Sequence, residues 1–522
     1  MDKAIPNHSL ERATPRQWLA ALGAILGAFM AILDISITNS SLRDIQGTLG
    51  ASSSEGSWIS TAYLVTEIVV IPLSAFLSRV FSTRLYLLAN VIIFLIFSAL
   101  CGTAQSLTAM IIYRAAQGFV GGALIPTAMT IVMNSLPGSQ RSIGLALFGL
   151  ATTFAPAIGP TLGGWLTIQY GWPYVFYINF LPGGILLYTI LRGLDAEDKQ
   201  LHLLRTADWL GIGLLAVFLG TLTTVLEEGN QEDWFGSPMI MKLTVVCVLS
   251  FVLFVWRELR VKNPIIDLRF LIRRNFFVCC VLSLMLGFLL YGSSYLVPMY
   301  LGGVQKYNAL EIGGIMKWSG LPQLLVMPLI PFLVAKFDNR KIVFVGFGLM
   351  AISAFLNSQM SYLFSGPQLI WGQVFRALGM PLIVVPLTGI AYDKIASQDG
   401  GSASGLFNMM RNLGGSIGIG LLKTEVSVRY SFHFARFSES LTTVSATAQR
   451  RLGELTHALM GKGLDYNEAH NKALHALGGL VNRESYIMAF SDCFHVLMIL
   501  MIVSMLLAPL LNKVKGAVAV GH

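Results

Sequence analysis

Apolar runs of about twenty residues recur along the whole chain, and each is long enough to cross a bilayer as a helix. In lipid every backbone N–H and C=O must be satisfied within the protein, which leaves only helices and closed barrels as spanning structures. A barrel would show short segments of alternating polarity, and these runs do not alternate. The chain therefore reads as an all-α integral membrane protein. Composition agrees: of 522 residues 54% are hydrophobic and 12% charged, and soluble domains carry about twice that charge fraction.

Apolar length and flanking charge place about fourteen spans. They lie near 18–37, 57–77, 85–104, 108–133, 143–166, 172–192, 208–228, 239–257, 275–299, 312–334, 342–361, 368–391, 404–427 and 486–511. They are numbered 1 to 14 below. The short loops set the sides. Arg79 and Arg84 follow span 2, Arg141 follows span 4, and Arg192, Lys199 and Arg205 surround the loop after span 6. Six basic residues between Arg257 and Arg274 follow span 8, and Lys336, Arg340 and Lys341 follow span 10. The loop after span 7, EEGNQEDW, has no Lys or Arg. Basic loops stay in the cytoplasm, and an even span count puts both termini there. The net charge of +9 is thus a signature of orientation, not of nucleic-acid binding. The run after the polar first 17 residues contains Asp34 and lacks a small-residue cleavage site, so a retained helix is expected. Cys101, Cys247, Cys279, Cys280 and Cys493 all sit in apolar runs without metal spacing and read as small core residues.

Two stretches repeat. Residues 71–84, IPLSAFLSRVFSTR, align without gaps to 327–340, MPLIPFLVAKFDNR, matching Pro72 to Pro328, Phe76 to Phe332, Phe81 to Phe337 and Arg84 to Arg340. YRAAQG at 113–118 is echoed by FRALGM at 375–380, each placing an Arg in an apolar helix. Both members of each pair fall at equivalent points of the topology. This argues for two parallel six-span halves with spans 7 and 8 inserted between them. Parallel repeats about an axis normal to the membrane are a transporter signature, with the substrate site between the halves. The expected organisation is a cytoplasmic segment 1–17, a first half 18–192, the inserted pair with its linkers 193–274, a second half 275–511 and a tail 512–522. Within the second half, residues 428–485 form a charged extracytoplasmic loop. Leu452, Leu455 and Leu459 are helically spaced there, as are Ala473 and Leu477, so two short amphipathic helices are expected. They read as a solvated cap or as a docking surface.

Span 5 carries the most unusual apolar stretch, ATTFAPAIGPTLGGWL at 151–166. Gly159 and Gly163 share a helix face with Ala155, and small residues on one face admit a neighbouring helix backbone. Pro156 and Pro160 each remove a helical hydrogen bond and bend the helix. This suits a helix that packs tightly and rocks against a neighbour, although a simple kinked packing helix has the same spacing.

Ionisable residues in mid-membrane cost about 2.5–3.5 kcal/mol on insertion scales and are functional candidates. Asp34 lies deep in span 1 and can carry protons or pair with an arginine. Glu67 lies mid-span 2, one turn after Tyr63, and can bind protons or cations or pair with Arg114. Arg114 in span 4 is followed by Gln117, Gly118, Gly121 and Gly122. In the second half Lys317 and Arg376 can face an anionic substrate, whereas Arg411, three residues after Asn408, reads as a cap or gate. A cavity lined by Asn39, Tyr63, Glu67, Arg114, Gln117, Tyr291, Tyr295, Lys317, Phe375 and Arg376 is expected. Lys423, Glu425, Asp492 and His495 lie near the outer edge, where side chains reach water. No phosphate loop, H-E-x-x-H, C-x-x-C or G-x-S-x-G motif occurs, so nothing in the sequence reads as an enzyme.

These residues resemble a known family. Gly159-Pro160-Thr161-Leu162-Gly163-Gly164 is similar to the G-P-x-x-G-G antiporter motif. Leu33, Asp34, Ile37 and Asn39 are similar to the span 1 motif L-D-x-T-I-x-N, with Ser36 in the place of its Thr. Arg114, Gln117 and Gly118 match R-x-x-Q-G, and INFLPGG at 178–184, NPIIDLRFL at 263–271 and RNLGGSIG at 411–418 also look like family sequence. Over nearly its whole length the chain resembles the 14-span drug:proton antiporters of the major facilitator superfamily, the EmrB/QacA group, and within it the EmrB-type exporters. The resemblance implies proton-driven export across the bacterial inner membrane without a cofactor, with Asp34 and Arg114 in proton coupling. It also implies a periplasmic membrane-fusion adaptor (EmrA-like), docking near 428–485, and a TolC-like outer-membrane channel. The cytoplasmic motif G-x-L-x-D-R-x-G-R is eroded: Ala75 replaces its first Gly, Ser78 its Asp and Ser82 its second Gly, while Arg79 and Arg84 remain as gating candidates. Without the resemblance, an uptake transporter for a small organic acid or a non-transporting scaffold also fits the residues.

Overall fold

The computed structural model describes residues 13–513 apart from 196–197, 262–263, 265, 394, 396–399 and 442–444. Residues 1–12, 514–522 and part of the NPIIDLRFL stretch therefore lie outside the described residues. Among the described residues all regular structure is helical.

Among the described residues twelve helical segments, some of them interrupted by a turn, are long and apolar enough to cross a membrane, and span 5 adds a thirteenth as a pair of segments, Ile143–Pro156 and Ile158–Tyr170, bent by 44°. The bend falls where Pro160 cannot donate to the carbonyl of residue 156. The expected span 13 lies in the helix Gly400–Ser440, which is much less apolar because glycines, Asn408, Arg411 and Lys423 occupy its packed face. The count of fourteen rests on this helix.

Spans 1, 2 and 3 are the helices Pro15–Ser40, Ser53–Phe81 and Thr83–Gly102. Capping boxes start the first two: the Thr14 and Ser52 hydroxyls accept from the N–H groups of Gln17 and Glu55. Such caps satisfy backbone donors that a helix end leaves open.

Two expectations change, in span 10 and in the loop before span 14. Span 4 crosses as one segment, Leu107–Ser135, written as the helices Leu107–Gly121 and Leu124–Ser135 with a helical φ/ψ at Gly122 and Ala123 between them; its Gly118 and Gly122 press against the span 2 backbone at Tyr63 and Glu67. Span 10 crosses as one segment, Glu311–Lys336, but not as one regular helix. Pro322, Pro328 and Pro331 divide it into Ala309–Met316, Leu321–Val326 and Ile330–Lys336 with 3-10 turns between. Among the described residues of the loop before span 14, only Ala446–Met460 is a separate helix. Ala473 and Leu477 belong to Tyr466–Leu507, which runs through Gly478 and Gly479 unbroken into span 14, with no proline to end it. That helix and Gly400–Ser440 are each roughly 60 Å long, twice the roughly 30 Å hydrocarbon core, so both project well beyond it.

Each half has its own buried core. The first gathers Ala28, Tyr63, Phe94, Ile125 and Leu186; the second gathers Leu286, Phe347, Ile383 and Phe494. Spans 7 and 8, Trp209–Glu228 and Pro238–Arg260, join where span 7 begins and span 8 ends, through Arg257 and Asp208 at 3.0 Å. Span 7 contributes Leu215 and Leu219 to the second-half core beside Ile68 and Ile71 of span 2. Span 8 leaves Val245, Val248, Leu249 and Val252 exposed, as suits a lipid-facing helix. Elsewhere, an apolar groove of about 390 Å³ between spans 3 and 6 is lined by Ile92, Leu95, Ile96, Ala99, Leu100, Phe180 and Leu187. None of the expected cavity residues is among them.

The repeat has a structural counterpart. Arg84 Nη2 donates to the Leu191 carbonyl at the end of span 6 (3.2 Å), and Arg340 Nη1 donates to the Leu511 carbonyl after span 14 (3.4 Å). Each arginine thus ties its loop to the last span of its own half. The second loop also keeps a charge pair, Arg340 Nη2 to Asp338 Oδ2 at 2.7 Å. In the first loop Ser82 occupies the corresponding place, with φ 69° and ψ 143°.

That conformation is one that glycine adopts freely and other residues adopt at a cost of about 1–3 kcal/mol. Ser82→Gly is expected to raise stability by about 1 kcal/mol, because a helix-capping Ser replaced by Gly loses only a few tenths. Thermal unfolding in detergent checks this. In the second loop, hydrogen bonds from Arg340 hold the Asp338 carboxyl below its ordinary value. Its contribution is therefore present above about pH 4, the unfolded value, and lost as pH falls through the lower folded value. Asp338→Asn is expected to flatten this acid limb of an unfolding-versus-pH curve.

Candidate functional site

Four spans converge on Asp34, whose side chain has no solvent exposure. Arg114 Nη1 of span 4 donates to its Oδ2 at 2.6 Å. Asn179 Nδ2, at the start of span 6, donates to Oδ1 at 2.6 Å, and Gln117 Nε2 donates to the same oxygen at 3.2 Å. Ser98 of span 3 accepts from Asn179 (2.9 Å) and Gln117 (3.3 Å) and donates to the Phe176 carbonyl at 2.9 Å. Arg114 also donates to Gln117 Oε1 at 2.8 Å and lies 4.2 Å over the Tyr63 ring. A buried ion pair is tolerated only when its remaining donors and acceptors are met, and this network meets them from every side.

The sequence spacing explains how these groups meet. Arg114 and Gln117 are three residues apart and share one helix face. Gly118 and Gly121 lie beside them, and a methyl at either position would strike Tyr63 of span 2. Span 4 can therefore approach span 2 closely enough to place the guanidinium over the Tyr63 ring.

The span 5 motif packs against the same helix that carries Asp34. A methyl at Gly159 would collide with Ser36, and one at Gly163 with Ser40 and the Ile37 carbonyl. The Ser36 hydroxyl donates to the Pro156 carbonyl at 3.3 Å, the carbonyl that Pro160 leaves without its helical donor. Ser41 meets Gly163 O (3.4 Å) and the Thr167 hydroxyl (2.7 Å). Gly164 is buried in this stretch. The other side of span 5 faces the second half. Thr161 fills the space beside Gly313 of span 10, and Leu150 packs on Met327, Ile330 and Val385. Span 5 therefore links the acid-bearing helix to the opposite half.

The remaining expected site residues spread more widely. Glu67 is buried and makes no hydrogen bond or ion pair among the described residues; Arg114 pairs with Asp34 instead. Glu67 and Tyr291 of span 9 lie within electrostatic reach of each other. Asn39, exposed at the outer end of span 1, accepts from Ser60 at 2.6 Å. Tyr291 reaches Asn412 at 3.4 Å, and Tyr295 and Phe375 are half-buried. Arg376 is buried on span 12, whereas Lys317 is exposed in a 3-10 turn of span 10, so the two cations do not form one site. Arg411 donates to Asn408 Oδ1 at 2.9 Å. Arg79 is exposed near the end of span 2.

At the outer edge, Asp492 Oδ2 accepts from Arg429 Nε at 2.6 Å and lies 2.7 Å from His433 Nε2, and Lys423 donates to the Glu227 carbonyl at 3.2 Å. The five cysteines are buried free thiols. Asn179 and Ser98 were not among the expected site residues. A polar amide within the apolar stretch INFLPGG was the available signal.

Two substitutions test this geometry. Asn179→Leu removes donors to Asp34 and Ser98 and is expected to cost about 1–3 kcal/mol of stability. Gly163→Val forces spans 1 and 5 apart and is expected to cost about 1–3 kcal/mol and to abolish transport at normal expression. Thermal unfolding and substrate flux of the purified variants measure both.

The sequence profile of the Major Facilitator Superfamily matches residues 24–419. The chain is 33% identical over 498 residues to the colistin resistance protein EmrB of Acinetobacter baumannii, covering 95% of this chain and 97% of that one. It is 34% identical over 441 residues to the multidrug export protein EmrB of Escherichia coli K12, covering 82% and 84%. It is 30% identical over 471 residues to the fatty acid resistance protein FarB of Neisseria gonorrhoeae, covering 90% and 91%. A crystal structure of a human organic anion transporter shares the fold, with a TM-score of 0.59 and 13% identity over 94% of this chain and all of that one. Two six-span halves, an inserted helix pair and these matches lead to one conclusion: the chain belongs to the major facilitator superfamily of multi-pass membrane transporters.

Proposed function

We propose that this protein is a proton-coupled antiporter that exports amphipathic drugs or toxic hydrophobic compounds across the bacterial inner membrane. The observation that carries this reading is the buried Asp34–Arg114 pair on a helix packed against the bent glycine helix of span 5. A proton reaching Asp34 removes the charge that holds Arg114. The tie between spans 1 and 4 then loosens, and span 1 is free to shift along the small-residue face of span 5. Because span 5 also contacts spans 10 and 12, such a shift reaches the second half. Proton and drug must favour different states of this assembly, or neither can drive the other. Relatives named for multidrug export, colistin resistance and fatty acid resistance support the substrate class and the export direction.

The protein is then the inner-membrane part of a tripartite pump, with both termini in the cytoplasm. A periplasmic adaptor of the EmrA kind meets it at the projecting ends of spans 13 and 14, with the helix Ala446–Met460, and a TolC-like channel completes the path. The length of these two helices beyond the bilayer supports this placement.

The test is flux of a fluorescent amphipathic compound in proteoliposomes under an imposed pH gradient. Asp34→Asn is expected to reduce gradient-driven accumulation at least tenfold while leaving passive exchange down a substrate gradient. Undiminished gradient-driven transport in this variant would remove Asp34 from coupling, and wild-type flux that ignores the gradient would remove the antiporter reading.

A further inference from the structure

The second half holds a buried cation that its own residues do not neutralise. Arg376 of span 12 is 4% exposed. Its Nη1 donates to Ser293 Oγ at 2.8 Å and its Nη2 to Ser294 Oγ at 3.2 Å, both on span 9. No carboxylate among the described residues pairs with it. Its counterpart in the repeat, Arg114, holds Asp34 at 2.6 Å from the helix equivalent to span 9. Hydroxyls thus stand in the second half where the first half has an acid. A guanidinium carries five donors, and burying one without a counter-charge is strongly unfavourable.

The neighbouring amides repeat the pattern. Gln373 lies one turn before Arg376 on the same face of span 12, is fully buried, and has both amide atoms without a partner. Asn357 of span 11 is 1% exposed, packs against Gly372 beside it, and is likewise unpartnered at both atoms. Buried polar groups without partners are rare in native proteins and call for a missing one. For the Arg376 guanidinium and the amide Nε2 and Nδ2 donors the missing partner is an acceptor, and the guanidinium calls for one with negative charge. The surroundings restrict it further, because Arg376 lies beside the apolar core that includes Leu290, Leu369 and Met380. A small inorganic anion would give up its hydration there without compensation, whereas an acid on an apolar body brings matching surface.

We propose that Arg376, with Ser293, Ser294 and Gln373, forms a binding site for the carboxylate of an acidic amphiphile. This deepens the exporter reading and rests on it for the direction of transport. The site lies in the opposite half from Asp34, so an anionic substrate and the coupling proton occupy separate places.

The test is equilibrium binding to purified full-length protein in nanodiscs at fixed pH, without a proton gradient. Labelled decanoate is the acidic probe and tetraphenylphosphonium the cationic one. Arg376→Gln is expected to weaken decanoate binding about tenfold to a hundredfold, the range for a lost charge-assisted hydrogen bond, and to change the cation's affinity less than about twofold. Ser293→Asp is the second variant. It gives Arg376 an internal carboxylate of the kind Arg114 already has, is expected to fold as wild type, and should displace decanoate to the same extent.

Unchanged decanoate affinity in Ser293→Asp overturns the proposal, as does a parallel loss of both ligands in Arg376→Gln. Displacement of decanoate by chloride or acetate at similar concentrations would assign the site to a small anion and also overturn it. Because binding needs no gradient, failure of the exporter reading shows separately, as decanoate binding without proton-driven flux.

Discussion

A carboxylate and a guanidinium with almost no solvent exposure set the terms for the first half of this protein. Neither ion tolerates burial alone, so Asp34 draws in Arg114 and Gln117 of span 4 and Asn179 of span 6, and Ser98 of span 3 holds the two amides in turn. Arg114 in turn needs the Tyr63 ring, and that ring is reached only because glycines let span 4 close on span 2. The polar network therefore governs helix packing as much as packing positions the network.

Span 5 turns this local tie into one that reaches across the molecule. Its prolines free a carbonyl that Ser36 takes up, and its glycines let span 1 lie against its backbone. Its opposite face meets Gly313 and the Met327–Val385 cluster of the second half. In the proposed mechanism a change of charge at Asp34 acts first on span 1, then on this seam, and then on spans 10 and 12. The seam is held by small residues and a few hydroxyls rather than interlocked large side chains, which is the kind of surface along which helices can slide.

The two halves share a plan but differ in charge. Arg84 and Arg340 brace equivalent loops against the last span of their own half, yet only the second loop retains an acid, Asp338. Arg114 and Arg376 occupy equivalent places in spans 4 and 12, yet only the first has an acid beside it. The first half thus holds its own counter-charge at the buried arginine, and the second leaves a buried arginine open to one supplied from outside. A duplicated scaffold can divide two tasks in this way without changing its packing.

The membrane class, the span positions, the basic loops and the repeat were legible in the sequence because each depends on local composition or short-range order. Apolar length decides what crosses a bilayer, and the cost of burying a charge marks Asp34, Glu67 and Arg114 wherever the helices lie. The Ser82 backbone was foreshadowed by the glycine expected there. What tertiary structure decided was pairing. Glu67 and Asp34 were both possible partners for Arg114, and only the docking of spans 1, 4 and 6 selects Asp34 and brings in Asn179. Span 10 read as one apolar run, and its division into three short helices follows Pro322, Pro328 and Pro331. Lys317 and Arg376 looked alike as buried cations, yet one is exposed on a turn and the other enclosed. The sequence states that a charge is buried and at what cost; which group meets it is fixed by helices that lie far apart in the chain.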